Sequence, residues 1–323
     1  MSRAPALLVE NLSVEFRTRA GVVKALENVA FAVGRGETVA VVGESGSGKS
    51  VTAYAVMGIL DPAGRVSSGR AMLGGLDLIA ATPGQLAGVR GREIAMIFQN
   101  PRTALNPIRP VGRQIADVLI RHGNVTRADA PARAVDMLRT VGISDPARRA
   151  NAYPFEMSGG MCQRVMIAIA LAAKPSVLIA DEPTTGLDVT TQAVIMDLIG
   201  ELAAEIGMAT IFITHDLALA GQRADRIVVM HAGHVVENAP TRDLLEHARH
   251  PYTAELIAAT PDTAASLDSL ASIPGSLPDL RRADLPPCRY SERCPHKIAI
   301  CQGPLPHVLA SDVHAAACWN PRQ

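Results

Sequence analysis

The octapeptide Gly43-Glu44-Ser45-Gly46-Ser47-Gly48-Lys49-Ser50 constrains this chain more than any other stretch. It completes the pattern G-x-x-x-x-G-K-[ST], directly after the apolar run Val39-Ala40-Val41-Val42 and before an apolar segment from Val51 to Leu60. The run reads as a buried strand and the later segment as a helix packed on a sheet, which is the strand–loop–helix setting the pattern requires. Glycines let the loop curl so that successive N–H groups face phosphate oxygens, and the helix N-terminus adds the positive end of its dipole. Lys49 is then expected to reach the β- and γ-phosphates of a nucleotide, with the Ser50 hydroxyl on Mg²⁺. Without that setting, the same residues would be only a glycine-rich turn.

A chain of 323 residues can bury one large core, or a core plus a smaller module. Its 48% hydrophobic and 19% charged residues describe a globular protein, not a disordered one. Aromatic residues make up only 3%, which argues against a base-stacking nucleic-acid surface. Lys+Arg and Asp+Glu both number 31, so no net charge draws the chain to nucleic acid or anionic lipid. Met1-Ser2-Arg3-Ala4-Pro5 leads into an alternating strand, so no secretory leader is expected. No apolar run approaches the ~18–20 residues of a membrane span, so any membrane role is expected to run through partners.

Leu7 to Phe16 alternates as a half-buried strand does, and Val22 to Val33 reads as antiparallel strand after the Gly21 turn. The helix after the loop is expected to end at Asp61-Pro62. Ala71–Leu73 and Glu93–Phe98 read as strands, the second running into Gln99. From about Val111 to Val141 the pattern is helical, with Ile115, Val118 and Leu119 at helical spacing. Thr126 and Asp129 suit a capping pair for the second of these helices. A helix is expected after Ser158, then a buried strand Val177–Ala180 and a helix from about Thr190 to Ile206, closed by Gly207. Strands Thr210–Thr214 and Arg226–Met230 follow, with a hairpin through Ala232-Gly233. Strands alternating with helices predict an α/β fold with parallel crossovers, interrupted by a helical insert over about 108–174.

The strand Val177–Ala180 runs into Asp181-Glu182-Pro183. A carboxylate at the end of a buried strand beside a phosphate loop suits Mg²⁺, and a second one after it suits polarising a water. By itself an acidic turn after a strand is common, so this reading leans on the upstream loop. Ser158-Gly159-Gly160 opens a helix and exposes further N–H groups, a second anion site. One nucleotide rarely needs two such helix ends from one chain, whereas two chains arranged head to tail do.

With these residues the chain resembles the ABC-transporter ATPases, and within them the ATPase subunits of bacterial oligopeptide/dipeptide importers and related nickel or glutathione importers. The resemblance covers residues 7–323. Gly43–Ser50 resembles the Walker A loop, Gln99 the Q-loop glutamine, Ser158-Gly159-Gly160-Met161 the signature motif, and Leu178–Asp181 Walker B. Glu182 resembles the catalytic carboxylate, Gly186-Leu187-Asp188 the D-loop, and His215 in Thr214-His215-Asp216 the switch histidine. Phe16 stands where an aromatic residue stacks on adenine, though a strand-core role explains it nearly as well. Phe98-Gln99-Asn100-Pro101, Leu105-Asn106-Pro107, Tyr153-Pro154 and His250-Pro251-Tyr252-Thr253 match the peptide-importer subfamily. Cys162 departs from it, standing where arginine is usual; as a small buried residue it needs no other role.

The resemblance implies a P-loop core of mixed sheet with an antiparallel β subdomain and a helical subdomain over residues 1–259, a linker over 260–287 and a cysteine-containing module over 288–323. It implies ATP and Mg²⁺ as ligands. Nucleotide contacts would come from Phe16, Gly43, Ser45, Gly46, Gly48, Lys49, Ser50, Val51, Ser158, Gly159, Gly160 and Asp188. Ser50, Gln99 and Asp181 would serve the metal, with Glu182, His215 and Gln99 catalytic. The expected partners are two transmembrane permease subunits, a second ATPase subunit (a different chain or a copy) and, indirectly, an extracytoplasmic substrate-binding protein. Nucleic acid is not among them. The expected place is the cytoplasmic face of the inner membrane, peripherally. A soluble ABC ATPase acting on DNA or ribosomes is the rival, but the span from Lys49 to Ser158 holds no sustained heptads for a long coiled coil and only one cassette is present. A P-loop kinase would leave Ser158–Gly160 and His215 without a role.

Cys288, Cys294, Cys301 and Cys318 lack the CxxC spacing of a zinc ribbon, yet four thiolates in a short tail suit an S₄ centre. Some members of the resembled subfamily carry a [4Fe–4S] cluster there; zinc, or cysteines that are reduced or disulfide-linked and bind nothing, are the alternatives.

Overall fold

The computed structural model describes residues 4–260 and 272–322. Two compact units divide the chain, Met1–Thr82 with Ile211–Gln323 and the continuous stretch Pro83–Thr210.

The first unit opens with β1 (Leu7–Thr18) and β2 (Gly21–Val33), antiparallel from Leu7 opposite Val33 to Thr18 opposite Gly21. β1 buries Leu7 and Val9 at a spacing of two and then, past an irregularity in the register at Asn11 (φ 49°), Leu12 and Val14, so the strict alternation expected from Leu7 to Phe16 is broken once. β3 (Thr38–Val42) is buried from Val39 onward and ends at the phosphate loop, from which α1 (Lys49–Met57) starts. Proline was not needed to stop α1. The helix ends before the expected Asp61-Pro62, because Gly58 takes the left-handed C-cap (φ 63°) and turns its N–H back to the Ala55 carbonyl. β4 (Gly64–Leu73) is longer than the expected Ala71–Leu73, since its first part is largely exposed and carries no alternation to read. With β5 (Leu76–Asp77) it completes a sheet in the order β2-β1-β4-β5.

The second unit begins with α2 (Pro83–Val89), absent from the sequence reading, and β6 (Ile94–Ile97). Then come α3 (Pro101–Ala104), α4 (Val111–His122), α5 (Ala130–Thr140), α6 (Pro146–Arg149) and α7 (Gly159–Leu171). α4 buries Val111, Ile115 and Leu119, one stripe at four-residue spacing, and packs on α5 and α7. The Thr126 hydroxyl accepts the Asp129 N–H (3.2 Å) and donates to the Asp129 carboxylate (2.6 Å), but α5 starts only at Ala130, with Asp129 at its N-cap and no side-chain cap bond, so Thr126 closes a turn ahead of the helix and is not the expected N-cap. β7 (Val177–Asp181) lies parallel to β6, Ile94 facing Val177 and Ile97 facing Ala180. α8 (Val189–Ile206) is closed by Gly207 in the left-handed conformation, as expected.

Through the wholly buried β8 (Ala209–Thr214) the chain returns to the first unit, with α9 (Leu217–Arg223), β9 (Arg226–His231) and β10 (His234–Pro240). β9 runs parallel to β3 and antiparallel to β10, so the sheet is mixed. α10 (Thr241–Glu246), α11 (Pro251–Ala258) and β11 (Ala315–Ala316) complete the unit, β11 pairing with β10 at Glu237 and Asn238. The expected linker lies partly outside the described residues; beyond them, the Lys24 N–H reaches the Leu280 carbonyl (3.1 Å). The segment after it is packed on the unit, with Arg289, Tyr290 and Ser291 all buried. Among the described residues no helix is long and apolar enough to cross a membrane.

Candidate nucleotide-binding and catalytic site

In the first unit the phosphate loop leaves β3 through a backbone that only glycine suits. Gly43 has φ 147°, and a Cβ there would lie 2.1 Å from the Met230 carbonyl oxygen. The Gly233 N–H donates to the Ser47 carbonyl (2.8 Å), bracing the loop from the β9–β10 hairpin. Lys49, at 5% exposure, folds its ammonium back onto the Gly43 and Glu44 carbonyls (2.8 and 3.0 Å). Ser45 and Gly46 are exposed, and Gly48, Ser50 and Val51 are half-buried. Phe16 is half-buried opposite Gly64, where a Cβ would come within 2.7 Å of its ring. His215 is exposed just beyond β8, and Asp216 beside it caps α9 by accepting the Leu219 N–H (3.0 Å).

The second unit collects the carboxylates. Asp181 closes β7 at 1% exposure. Glu182 follows with φ 45°, a left-handed conformation that is sterically costly for a residue with a side chain. Its carboxylate accepts from Gln99 Nε2 (2.7 Å) and from the Thr185 hydroxyl (2.9 Å). Gln99 and Glu182, read separately from the sequence, thus meet. Ser158 is exposed and caps α7 by accepting the Met161 N–H (3.3 Å). A Cβ added to Gly159 would meet nothing within 4 Å, which leaves room for a ligand at this helix end. Asp188 caps α8: backbone and hydroxyl hydrogen bonds from Thr191 hold its carboxyl below the usual range. Cys162 is fully buried, its thiol on the Pro154 carbonyl (3.4 Å), and burial pushes its pKa up, as befits a structural residue.

Cys288, Cys294, Cys301 and Cys318 line one pocket, and all are free thiols. Burial pushes the Cys288 thiol up to about 11 and raises Cys294 and Cys318 as well. Among the described residues no three His, Cys, Asp or Glu side chains are grouped closely enough to hold a metal ion. Beyond the four thiols lining one pocket, the described geometry therefore gives the expected metal centre no support.

The sequence reading missed Glu44, one of the variable positions of the loop pattern. Its carboxylate receives both terminal nitrogens of Arg293 (2.7 and 3.0 Å), and its N–H donates to Tyr252 Oη (3.0 Å). Tyr252 lies in a stretch that the sequence reading noted only as a subfamily marker, and Arg293 in the module read only for its cysteines.

The family described as ABC transporter matches residues 26–185, and the oligopeptide/dipeptide transporter C-terminal region matches residues 236–301. A probable peptide ABC transporter ATP-binding protein of Sinorhizobium fredii is 46% identical over 97% of this chain and 94% of its own. The dipeptide transport ATP-binding protein DppD of Escherichia coli is 43% identical over 98% of this chain and 96% of its own. Among solved structures, the dimeric post-hydrolysis state of the ATP-binding cassette MJ0796, bound to ADP and phosphate, is 28% identical. It superposes with a TM-score of 0.66 over 73% of this chain and 99% of its own. The chain thus belongs to the ATP-binding proteins of the ABC transporter family, in the branch that carries the oligopeptide/dipeptide transporter C-terminal region.

Proposed function

We propose that this chain hydrolyses ATP to energise the import of di- or oligopeptides through partner membrane permeases. Nucleotide sits on the loop Gly43–Ser50, with Phe16 against the adenine and Lys49 moved from the loop carbonyls to the β- and γ-phosphates. Ser50, Gln99 and Asp181 would offer Mg²⁺ oxygen donors, a hard set that suits it, and the bound ion would neutralise charge on the phosphates. Gln99 positions the attacking water and Glu182 takes its proton. The water oxygen bonds to the γ-phosphorus as the bond to the bridging oxygen of ADP breaks, leaving ADP and phosphate. His215 contacts the γ-phosphate. Ser158, Gly159 and Gly160, with Asp188, serve the nucleotide of a second ATPase subunit.

The observation that carries this reading is the Glu182 carboxylate held by Gln99 (2.7 Å) in a costly backbone conformation at the end of a buried strand. Strain of that kind gathers at functional positions. The dimeric relative with ADP and phosphate supports the two-subunit arrangement, and the names of the peptide-transport relatives support the cargo. The chain is proposed to sit peripherally on the cytoplasmic face of the inner membrane. Purifying the native complex from membranes is expected to recover two multi-span permease chains and a second ATPase. Recovery with ribosomal or DNA-bound proteins instead would favour the soluble rival.

We also propose that the cysteine pocket would take a [4Fe–4S] cluster, which Cys288, Cys294, Cys301 and Cys318 would hold as thiolates. Four thiols on one pocket support this. Protein purified without oxygen is expected to be brown, to absorb near 400 nm and to contain about four irons per chain. Stoichiometric zinc without iron would reject the cluster.

A further inference from the structure

We infer that Arg293 and Tyr252, both from the C-terminal region, are positioning residues for the phosphate loop and act through Glu44 on how tightly nucleotide is held. The inference rests on the reading of Gly43–Ser50 as the nucleotide loop.

Glu44 is gripped at every polar group it has. Its carbonyl accepts from Lys49 Nζ (3.0 Å), its N–H donates to Tyr252 Oη (3.0 Å), and its carboxylate pairs with both terminal nitrogens of Arg293. The holders cannot swing. Tyr252 is fully buried, with its ring 4.6 Å from that of His231 and 5.4 Å from that of Tyr290. The Arg293 side chain is 5% exposed, donates through Nε to the Pro274 carbonyl (2.8 Å) and lies 5.7 Å from the centre of the Tyr290 ring. Its Nη1 is also 3.2 Å from His231 Nε2, and burial keeps that imidazole neutral and able to accept.

Two effects follow from this geometry. The bidentate contact fixes the first turn of the loop, so less freedom is lost when phosphate binds. Arg293 also neutralises a carboxylate carried by a loop that must accept a polyanion. Without the guanidinium, Glu44 would repel the triphosphate. That second effect gives the inference a sign that a scaffold role would not share, because removing the carboxylate as well should repair the damage.

The test measures ATP affinity of the full-length chain by displacement of a fluorescent ATP analogue, with the unfolding temperature recorded for each variant. Arg293→Met is expected to weaken ATP binding about tenfold, the scale of one lost charge-assisted contact. Arg293→Lys should lose less. Arg293→Met combined with Glu44→Gln should regain most of the loss. Tyr252→Phe, which keeps the ring and removes the acceptor, should weaken binding without loosening the surrounding core. Wild-type affinity in Arg293→Met, or a double variant at least as weak as Arg293→Met alone, overturns the inference. Should Arg293→Met fail to fold, Arg293→Lys and Tyr252→Phe decide: unchanged affinity in both overturns it. Failure of the unmodified chain to bind ATP would instead overturn the nucleotide reading itself.

Discussion

Glu182→Gln is expected to lower ATP turnover by ~10²–10⁴-fold, the range for loss of a general base, while leaving ATP affinity close to that of the unmodified chain. The amide is nearly isosteric with the carboxylate and still offers an oxygen to Gln99 Nε2 and to the Thr185 hydroxyl, so the local geometry at φ 45° has no reason to change. What disappears is the capacity to take a proton from water. Because binding persists and cleavage does not, ATP should accumulate on the variant and hold two subunits together, visible as a dimer in size-exclusion chromatography. Phosphate release measured beside nucleotide binding separates the two steps. Near-normal turnover would remove Glu182 from its proposed role and leave the buried Asp181 as the acidic residue to examine.

The second large effect concerns stability. Arg289 has a side-chain exposure of 1%, and its guanidinium donates to the Lys24 carbonyl (3.0 Å), the Ala232 carbonyl and the Glu27 carboxylate. Glu27→Ala would leave that buried cation without its counter-charge; because the Glu27 side chain is itself 45% exposed and solvent screens the pair, about 1–2 kcal/mol of stability should be lost, seen as a lower urea midpoint. Replacing the pair together, with Glu27→Gln and Arg289→Met, should cost less than Glu27→Ala alone, because no uncompensated charge then remains. An unchanged midpoint in Glu27→Ala would show that the pair contributes nothing.

The same carboxyl predicts an acid dependence. The hydrogen bond from His234, followed by the attraction of Arg289, holds Glu27 down to about 2 against an ordinary value of 4.5. Burial lowers the His234 pKa, so the neutral ring donates through Nε2 to Glu27 (3.2 Å). A carboxyl whose folded value is depressed contributes stability that is complete above about pH 4.5 and is lost as pH falls toward 2. The stability gap between the unmodified chain and Glu27→Ala should therefore be constant near neutrality and shrink through that acid window.

Much of the local structure at the proposed nucleotide site was legible in the sequence because its devices are local. A strand, a glycine turn and a helix start occupy adjacent residues in Val39–Val51, and the Ser158 cap acts over three residues. The helical insert was legible from its apolar stripe. Other features had no local signature. β4 escaped because most of it is exposed, and α1 outran its true end because proline outweighed Gly58 in the reading. The contact between Gln99 and Glu182 spans 83 residues, and that between Arg293 and Glu44 spans 249. Pairings of that range depend on how the whole unit closes, so a sequence pattern can name the partners without joining them. The cysteines are the intermediate case: their clustering along the chain corresponds to four thiols lining one pocket, while no close metal-holding group occurs among the described residues.

The first unit is assembled from both ends of the polypeptide, whereas the second is one uninterrupted stretch. During synthesis Pro83–Thr210 can therefore collapse as soon as it leaves the ribosome, while β1 and β3 wait for segments translated much later. Arg289, Arg293 and β11 at Ala315–Ala316 emerge only after the whole of that second stretch. A ribosome stalled before codon 289 would thus release a chain with a complete phosphate loop but without the guanidinium groups that seat Glu27 and Glu44.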